Sequence, residues 1–287
     1  MKKFKYFFQF IIVIFFFFIF KLLGAKFSSF FSGKLFEFIG PLFRSKHIIY
    51  NNLLRVFPNM QDTELKNISK NMWNNYGRVF AEYMFMKEFR SGSLRDNIKI
   101  KGGEILKQIK KENKNVIFVS GHFSNFELMA MEISKCGIDL CAIYRPLNNI
   151  YLNPIMENIR KKYICEKQIK KGMSGTRELV SLLKKNYSAA LMLDQRVSQG
   201  IKSKFFNQEA FTTTIPAQIA KKYNLPVVPI FIERLNGIDF TMKVYDPIYF
   251  STNQSTSEIT RKLNLIIEKM IIKNPNEWIW THNRWKK

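Results

Sequence analysis

The sequence predicts an α/β fold, a mainly parallel sheet flanked by helices, with an apolar amino-terminal segment set apart from the rest. Three observations carry this. Short runs rich in β-branched and aromatic residues at 116–119, 139–144, 189–193, 226–232 and 239–245 read as strands. Helical patterns at 103–112, 124–136, 149–163, 174–186, 214–223 and 256–273 alternate with them, which favours parallel pairing through helical crossovers. No internal repeat or low-complexity linker interrupts the chain after residue 43, and 287 residues suffice for one sizeable domain plus an appendage.

Taken in order, the chain opens with Lys2, Lys3 and Lys5, then an apolar run from Tyr6 to Phe20 broken only by Gln9. That run reaches about 22 Å as a helix, short of a hydrocarbon core of about 30 Å. Adding Lys21 to Ala25, with Lys21 snorkelling, brings it close to spanning length. A cleaved signal peptide is disfavoured by the Phe-dominated core, the missing Ala-x-Ala site and the hydrophobic stretch that follows. That stretch, 27–43, mixes Phe30, Phe31, Leu35, Phe36, Phe38 and Ile39 with Lys34 and Glu37, the pattern of an interfacial helix. Residues 1–43 are therefore expected to form a membrane anchor and 44–287 the working domain. Lysines on both flanks leave the orientation of the first segment undetermined by charge. Pro41 and Pro58 punctuate the entry to the domain, and 62–86 reads as a helix whose Trp73, Tyr76, Phe80 and Tyr83 face the core.

Forty-six Lys and Arg against 22 Asp and Glu give a net charge of +24, which points to anionic partners. The lysines are dispersed and no helix-turn-helix, zinc-finger or ribonucleoprotein motif is present, so nucleic acid is excluded as the expected partner. Cys136, Cys141 and Cys165 are odd in number and lack Cys-x-x-Cys spacing, so they read as reduced thiols.

The segment Val116-Ile-Phe-Val-Ser-Gly-His-Phe-Ser-Asn-Phe-Glu127 places a histidine and a carboxylate between a strand's carboxyl end and a helix's start, where α/β sites form. On one regular helix, residues five apart diverge by about 140°, so His122 and Glu127 can meet only if His122 precedes the helix. A neutral imidazole oriented by a carboxylate can take a proton from an alcohol, which makes His122 a candidate base and Glu127 its partner. Ser124-x-x-Glu127 is equally a capping box, in which Glu127 only closes the helix end. His-x4-Glu is not a zinc ligand set, and with three histidines in the chain neither a metal nor a cofactor is expected. No Gly-x-Ser-x-Gly elbow occurs, and Cys136 ends an apolar helical stretch, so direct attack by an acceptor hydroxyl is expected over a covalent intermediate. Arg145 follows a strand and precedes Pro146, a position suited to an oxyanion or phosphate, or simply a surface arginine. Asp194 ends another strand, either orienting Arg145 or Arg196 or starting a turn, and Gln195 follows it. Arg284 can meet a phosphate or snorkel beside Trp280 and Trp285, while His47 and His282 read as ordinary.

A set of segments in fixed order covers nearly the whole chain. They are Asn52-Leu-Leu-Arg-Val-Phe-Pro58, Gly77-Arg-Val-Phe-Ala-Glu82, Gly121-His122-Phe-Ser-Asn-Phe-Glu127, Tyr144-Arg145-Pro146 and Leu193-Asp194-Gln195. Phe205-Phe206, Thr212-Thr-Thr214, Val227-Val-Pro229 and Trp280-Thr-His-Asn-Arg-Trp-Lys286 complete the series. In these the chain resembles the bacterial lipid A biosynthesis acyltransferases, which add lauroyl or myristoyl chains. It departs from that pattern at Asn207, where a glycine is expected after the two aromatics. The resemblance implies a glycerolphosphate-acyltransferase-like fold, an acyl carrier protein as donor and an anionic lipid A precursor as acceptor. It also implies His122 and Glu127 in catalysis, Arg145, Asp194, Gln195 and Arg284 at the substrates, and a place on the cytoplasmic face of the bacterial inner membrane. The rival expectations are acylation of another glycolipid or aminolipid from acyl-coenzyme A, and a non-catalytic basic module that holds lipid.

Overall fold

The computed structural model describes residues 2–286. Two long helices come first, α1 (Lys2–Leu23) and α2 (Ala25–Phe43), joined at Gly24, whose φ of 77° breaks the helix between them. Helix α3 (Lys46–Val56) leads to α4 (Asp62–Glu82), a 3₁₀ turn (Tyr83–Phe85) and α5 (Met86–Ser91), so the helix expected over 62–86 runs on past a kink. Helix α4 starts on a reciprocal capping box between Gln61 and Glu64. The packing of α2 on α4 is close because small residues meet there. Ser32 Oγ donates to the Gly77 carbonyl at 2.6 Å, and a Cβ on Gly77 would lie 2.1 Å from the Ser32 carbonyl oxygen.

The remainder alternates β1 (Ile98–Lys101), α6 (Gly103–Glu112), β2 (Ile117–Ser120), α7 (Glu127–Lys135) and β3 (Leu140–Tyr144). It continues with α8 (Leu152–Ile159), a π-helical turn (Arg160–Ile164), β4 (Lys167–Lys170), α9 (Met173–Lys184) and β5 (Ser188–Met192). A hairpin of β6 (Ile201–Phe205) and β7 (Gln208–Thr212) follows, then α10 (Ile215–Tyr223), β8 (Val227–Asn236), β9 (Asp239–Val244) and α11 (Thr256–Lys273).

The sheet runs β1-β9-β8-β2-β5-β3-β4, parallel throughout except between β8 and β9. The mainly parallel α/β expectation holds. All five expected strands are present, and β2, buried along its whole length, sits at the sheet's centre. Strands β1 and β4, Ile-Lys-Ile-Lys and Lys-Gln-Ile-Lys, were not expected. They are the two sheet edges, where lysines discourage pairing with another chain and erase the apolar signature. In the β6–β7 hairpin, Phe206 and Asn207 take φ of 50° and 56°, as a two-residue turn matched to the strand twist requires. Asparagine tolerates that left-handed conformation, so Asn207 does the work of the expected glycine.

Candidate active site

The register of the sheet builds the site. Ser120, the last residue of β2, pairs with Met192, the last of β5, and two residues further on each strand lie His122 and Asp194. Parallel neighbours leave the sheet side by side, so 72 residues of separation close to a hydrogen bond of 2.8 Å between His122 Nδ1 and Asp194 Oδ1. Gly121 makes the approach possible, since a Cβ there would sit 3.2 Å from Asp194 Cβ and Cγ and 2.8 Å from the Phe123 ring. The other Asp194 oxygen accepts the His122 backbone N–H at 2.9 Å and the Trp278 indole N–H at 2.8 Å.

Asp194 is 1% exposed, and its three donors, with the facing imidazole, outweigh the burial that disfavours its charge, lowering its pKa to about 2. Burial works against the charged form of His122 as well. The charge and hydrogen bond of Asp194 prevail, with a smaller contribution from Glu127, and raise the imidazole pKa above its ordinary value. The His122 side chain remains 18% exposed, its ring edge-on to Phe126 at 4.7 Å.

Glu127 is therefore not the carboxylate on His122 Nδ1, and it is not a helix cap either. Helix α7 begins at Glu127 itself, and Ser124 has a φ of 46° and donates its N–H to the Glu277 carbonyl, so the Ser-x-x-Glu box does not form. Glu127 Oε1 instead accepts from Arg160 Nε at 2.9 Å and Nη2 at 2.5 Å, and from the Tyr83 hydroxyl. The Arg160 guanidinium sits over the rings of Tyr83 and Tyr144 at the start of the π-helical turn, a distortion often found at functional sites.

The other expected site residues divide. Arg145 is exposed directly after β3, at the sheet's carboxyl edge, where Lys171 N donates to the Tyr144 carbonyl beside it. Gln195 is half-buried next to Asp194. Asp194 orients the imidazole rather than an arginine. Arg284 is fully buried, donating to the Phe211 carbonyl and Thr212 Oγ1 at 2.7 Å each, its guanidinium over the Phe205 ring. It closes the hairpin from within and cannot reach a substrate phosphate or a membrane surface. Trp280 and Trp285, beside which it was expected either to snorkel at a membrane or to meet a phosphate, belong with Phe205 and Trp278 to the buried core around it.

Sequence reasoning marked the carboxyl-terminal segment but missed that it frames the pair, and missed Trp278 and His282 as its working contacts. From Glu277 to Lys286 the chain straps across the site: Trp278 bridges Phe123, Thr281 meets the Tyr76 hydroxyl, and the carbonyls of Trp280 and His282 accept from Asn52. His282 Nε2 accepts the Arg196 N–H at 2.8 Å, and burial lowers its pKa to about 4, so it is a neutral acceptor and not the ordinary residue expected. Beneath the loop, fully buried Glu82 pairs with Arg234 and accepts from Ser29 and Asn125, tying α2, α4 and the His122 loop together.

Among related proteins, lipid A biosynthesis acyltransferase 2 of Shigella flexneri is 23% identical over 239 residues, 80% of this chain and 74% of that protein. The lipid A biosynthesis palmitoleoyltransferase of Escherichia coli (strain K12) is 23% identical over 246 residues, covering 85% and 79%. The crystal structure of PlsC, the 1-acyl-sn-glycerophosphate (LPA) acyltransferase from Thermotoga maritima, aligns at a TM-score of 0.43 and 16% identity over 89% of this chain and 100% of that one. The chain is an acyl-transferring enzyme. It belongs to the bacterial lipid A biosynthesis acyltransferase family, whose model matches residues 1–287.

Proposed function

We propose that this enzyme transfers a fatty acyl chain from acyl carrier protein to a hydroxyl of a partly acylated, anionic lipid A precursor, a secondary acylation. The observation that carries the reading is the buried Asp194 carboxylate on His122 Nδ1, which leaves Nε2 to face an incoming hydroxyl. In this reading His122 takes the hydroxyl proton as the acceptor oxygen attacks the thioester carbonyl, and Asp194 holds the tautomer and stabilises the imidazolium. The collapsing intermediate expels the carrier thiolate, which recovers the proton from His122. Arg160, fixed by Glu127 beside the imidazole, is placed better than exposed Arg145 to steady the oxyanion; Arg145 and Gln195 are left to contact the acceptor. Residues 1–43 serve as the anchor and 44–287 carry the chemistry, on the cytoplasmic face of the inner membrane, where acyl carrier protein is available. Mass spectrometry of lipid A from cells with and without the gene tests the assignment. Loss of one secondary acyl chain is the expected result, and an unchanged lipid A profile overturns it in favour of another lipid acceptor.

A further inference from the structure

We propose that α1 does not cross the bilayer but lies along one leaflet, fastened to the catalytic body at both ends, with the β3–α8 loop entering the same leaflet beside it. This rests on the membrane association proposed above and fixes its geometry. Helix α1 is long and apolar enough to span, but its faces are unequal. Tyr6, Phe10, Val13, Phe17 and Phe20 recur every three or four residues on the side packed against the body, whereas Phe4, Phe8, Ile11, Phe15, Phe18 and Leu22 are exposed on the other.

The attachments stand at opposite ends. Near the start, Asn149 Nδ2 donates to the Tyr6 carbonyl at 2.8 Å, and Phe7 and Phe10 pack on the Tyr151 ring at 5.7 and 5.9 Å. Near the end, Phe17 packs on Phe80 at 5.2 Å and Lys21 Nζ pairs with Glu88 at 2.9 Å. From Tyr6 to Lys21 the helix rises about 22 Å, most of a hydrocarbon core of about 30 Å. Held upright across a bilayer, it would carry Glu88, Asn149 and the irregular 145–151 backbone to membrane depth, where polar groups find no water. Lying flat, it asks only its outer face to enter lipid.

The loop belongs to that face. Asn149 is 7% exposed, and its Oδ1 accepts the N–H groups of Tyr151 and Leu152, so the loop backbone is fixed. Yet Leu147 and Ile150 are 41% and 52% exposed. Exposed Arg145 and the lysines at positions 2, 3 and 5 lie at the same end, suited to anionic headgroups.

Two measurements on the full chain test this. Lys3→Cys and Lys114→Cys, the latter on the sheet's amino edge, are probed in spheroplasts with a membrane-impermeant maleimide before and after permeabilisation, against the native chain as background. Both cysteines should lie on the same side of the membrane; opposite sides would mean a spanning helix and overturn the proposal. In vesicles of phosphatidylethanolamine and phosphatidylglycerol with brominated acyl chains, Ile150→Trp should lose most of its added emission and Lys114→Trp should not, the native tryptophans being buried. Equal emission from the two overturns the loop's part. Protein that floats free of the vesicles removes the membrane reading itself, and this proposal with it.

Discussion

With Nδ1 committed to Asp194, His122 has one nitrogen left for chemistry, and that restriction makes its role testable. His122→Ala should lower acyl transfer by about 10² or more in a protein that still folds, the scale of a general base. Normal turnover by the folded variant would remove His122 from the mechanism. Only neutral His122 can accept the proton, so activity should fall as pH drops through its raised pKa. The Asp194 charge is what raises that pKa, so Asp194→Asn should move the acid limb of kcat/KM to lower pH while reducing the plateau. A limb that stays in place would detach Asp194 from the titration. His122 was legible because its strand, glycine and helix are contiguous in the chain. Its partner was not: Glu127 is five residues away and Asp194 seventy-two, and only the Ser120–Met192 register, a property of the folded sheet, decides between them. Two strands that each end two residues before a polar side chain were the available signal.

Among the elements, the α2–α4 seam and the carboxyl-terminal strap are the parts most exposed to single substitutions. Gly77→Ala forces a methyl into the Ser32 carbonyl and should cost about 1–3 kcal/mol, read by denaturant unfolding in detergent. An unchanged midpoint would show that the helices can separate freely. In the strap, Trp278→Phe removes a donor to the Asp194 carboxylate, leaves more charge facing the imidazole, and should move the acid limb to higher pH. Trp280→Phe, which removes a donor to the Pro275 carbonyl and trims a buried ring packed on Trp278 but takes no donor from Asp194, should lower stability without moving the limb. If both variants shift it equally, the effect is one of packing. His282 has the opposite sign from His122: its folded pKa is depressed, so its contribution is intact above about 6.5 and lost as pH falls toward about 4. Through that window it should subtract up to about 1.4 kcal/mol per pH unit, and His282→Gln should flatten the decline. Central strands and most helices could be read from sequence because burial on both faces, or on one stripe, writes a periodic pattern. The edge strands β1 and β4 could not, because the lysines that protect an edge break that pattern. Arg284 was misplaced for a related reason, since its aromatic neighbours look alike whether they line a core or a membrane surface.

For the molecule as a whole, the net charge of +24 bears on the donor. If an acidic carrier protein delivers the acyl chain, kcat/KM for that donor should fall as ionic strength rises, at saturating acceptor. The same acyl chain on coenzyme A should show a weaker dependence. Equal rates and no salt effect would favour the coenzyme. The strap also carries a consequence in time. His122 and Asp194 are synthesised well before Trp278 and Trp285, and α1 precedes them all. A nascent chain whose first helix has already met lipid thus holds an unframed pair, with one oxygen of Asp194 short of a donor and the β6–β7 hairpin open around the place of Arg284. Synthesis order thus sets α1 before the finishing clasp, and under the anchoring proposed above the first helix would meet lipid before the catalytic pair is framed.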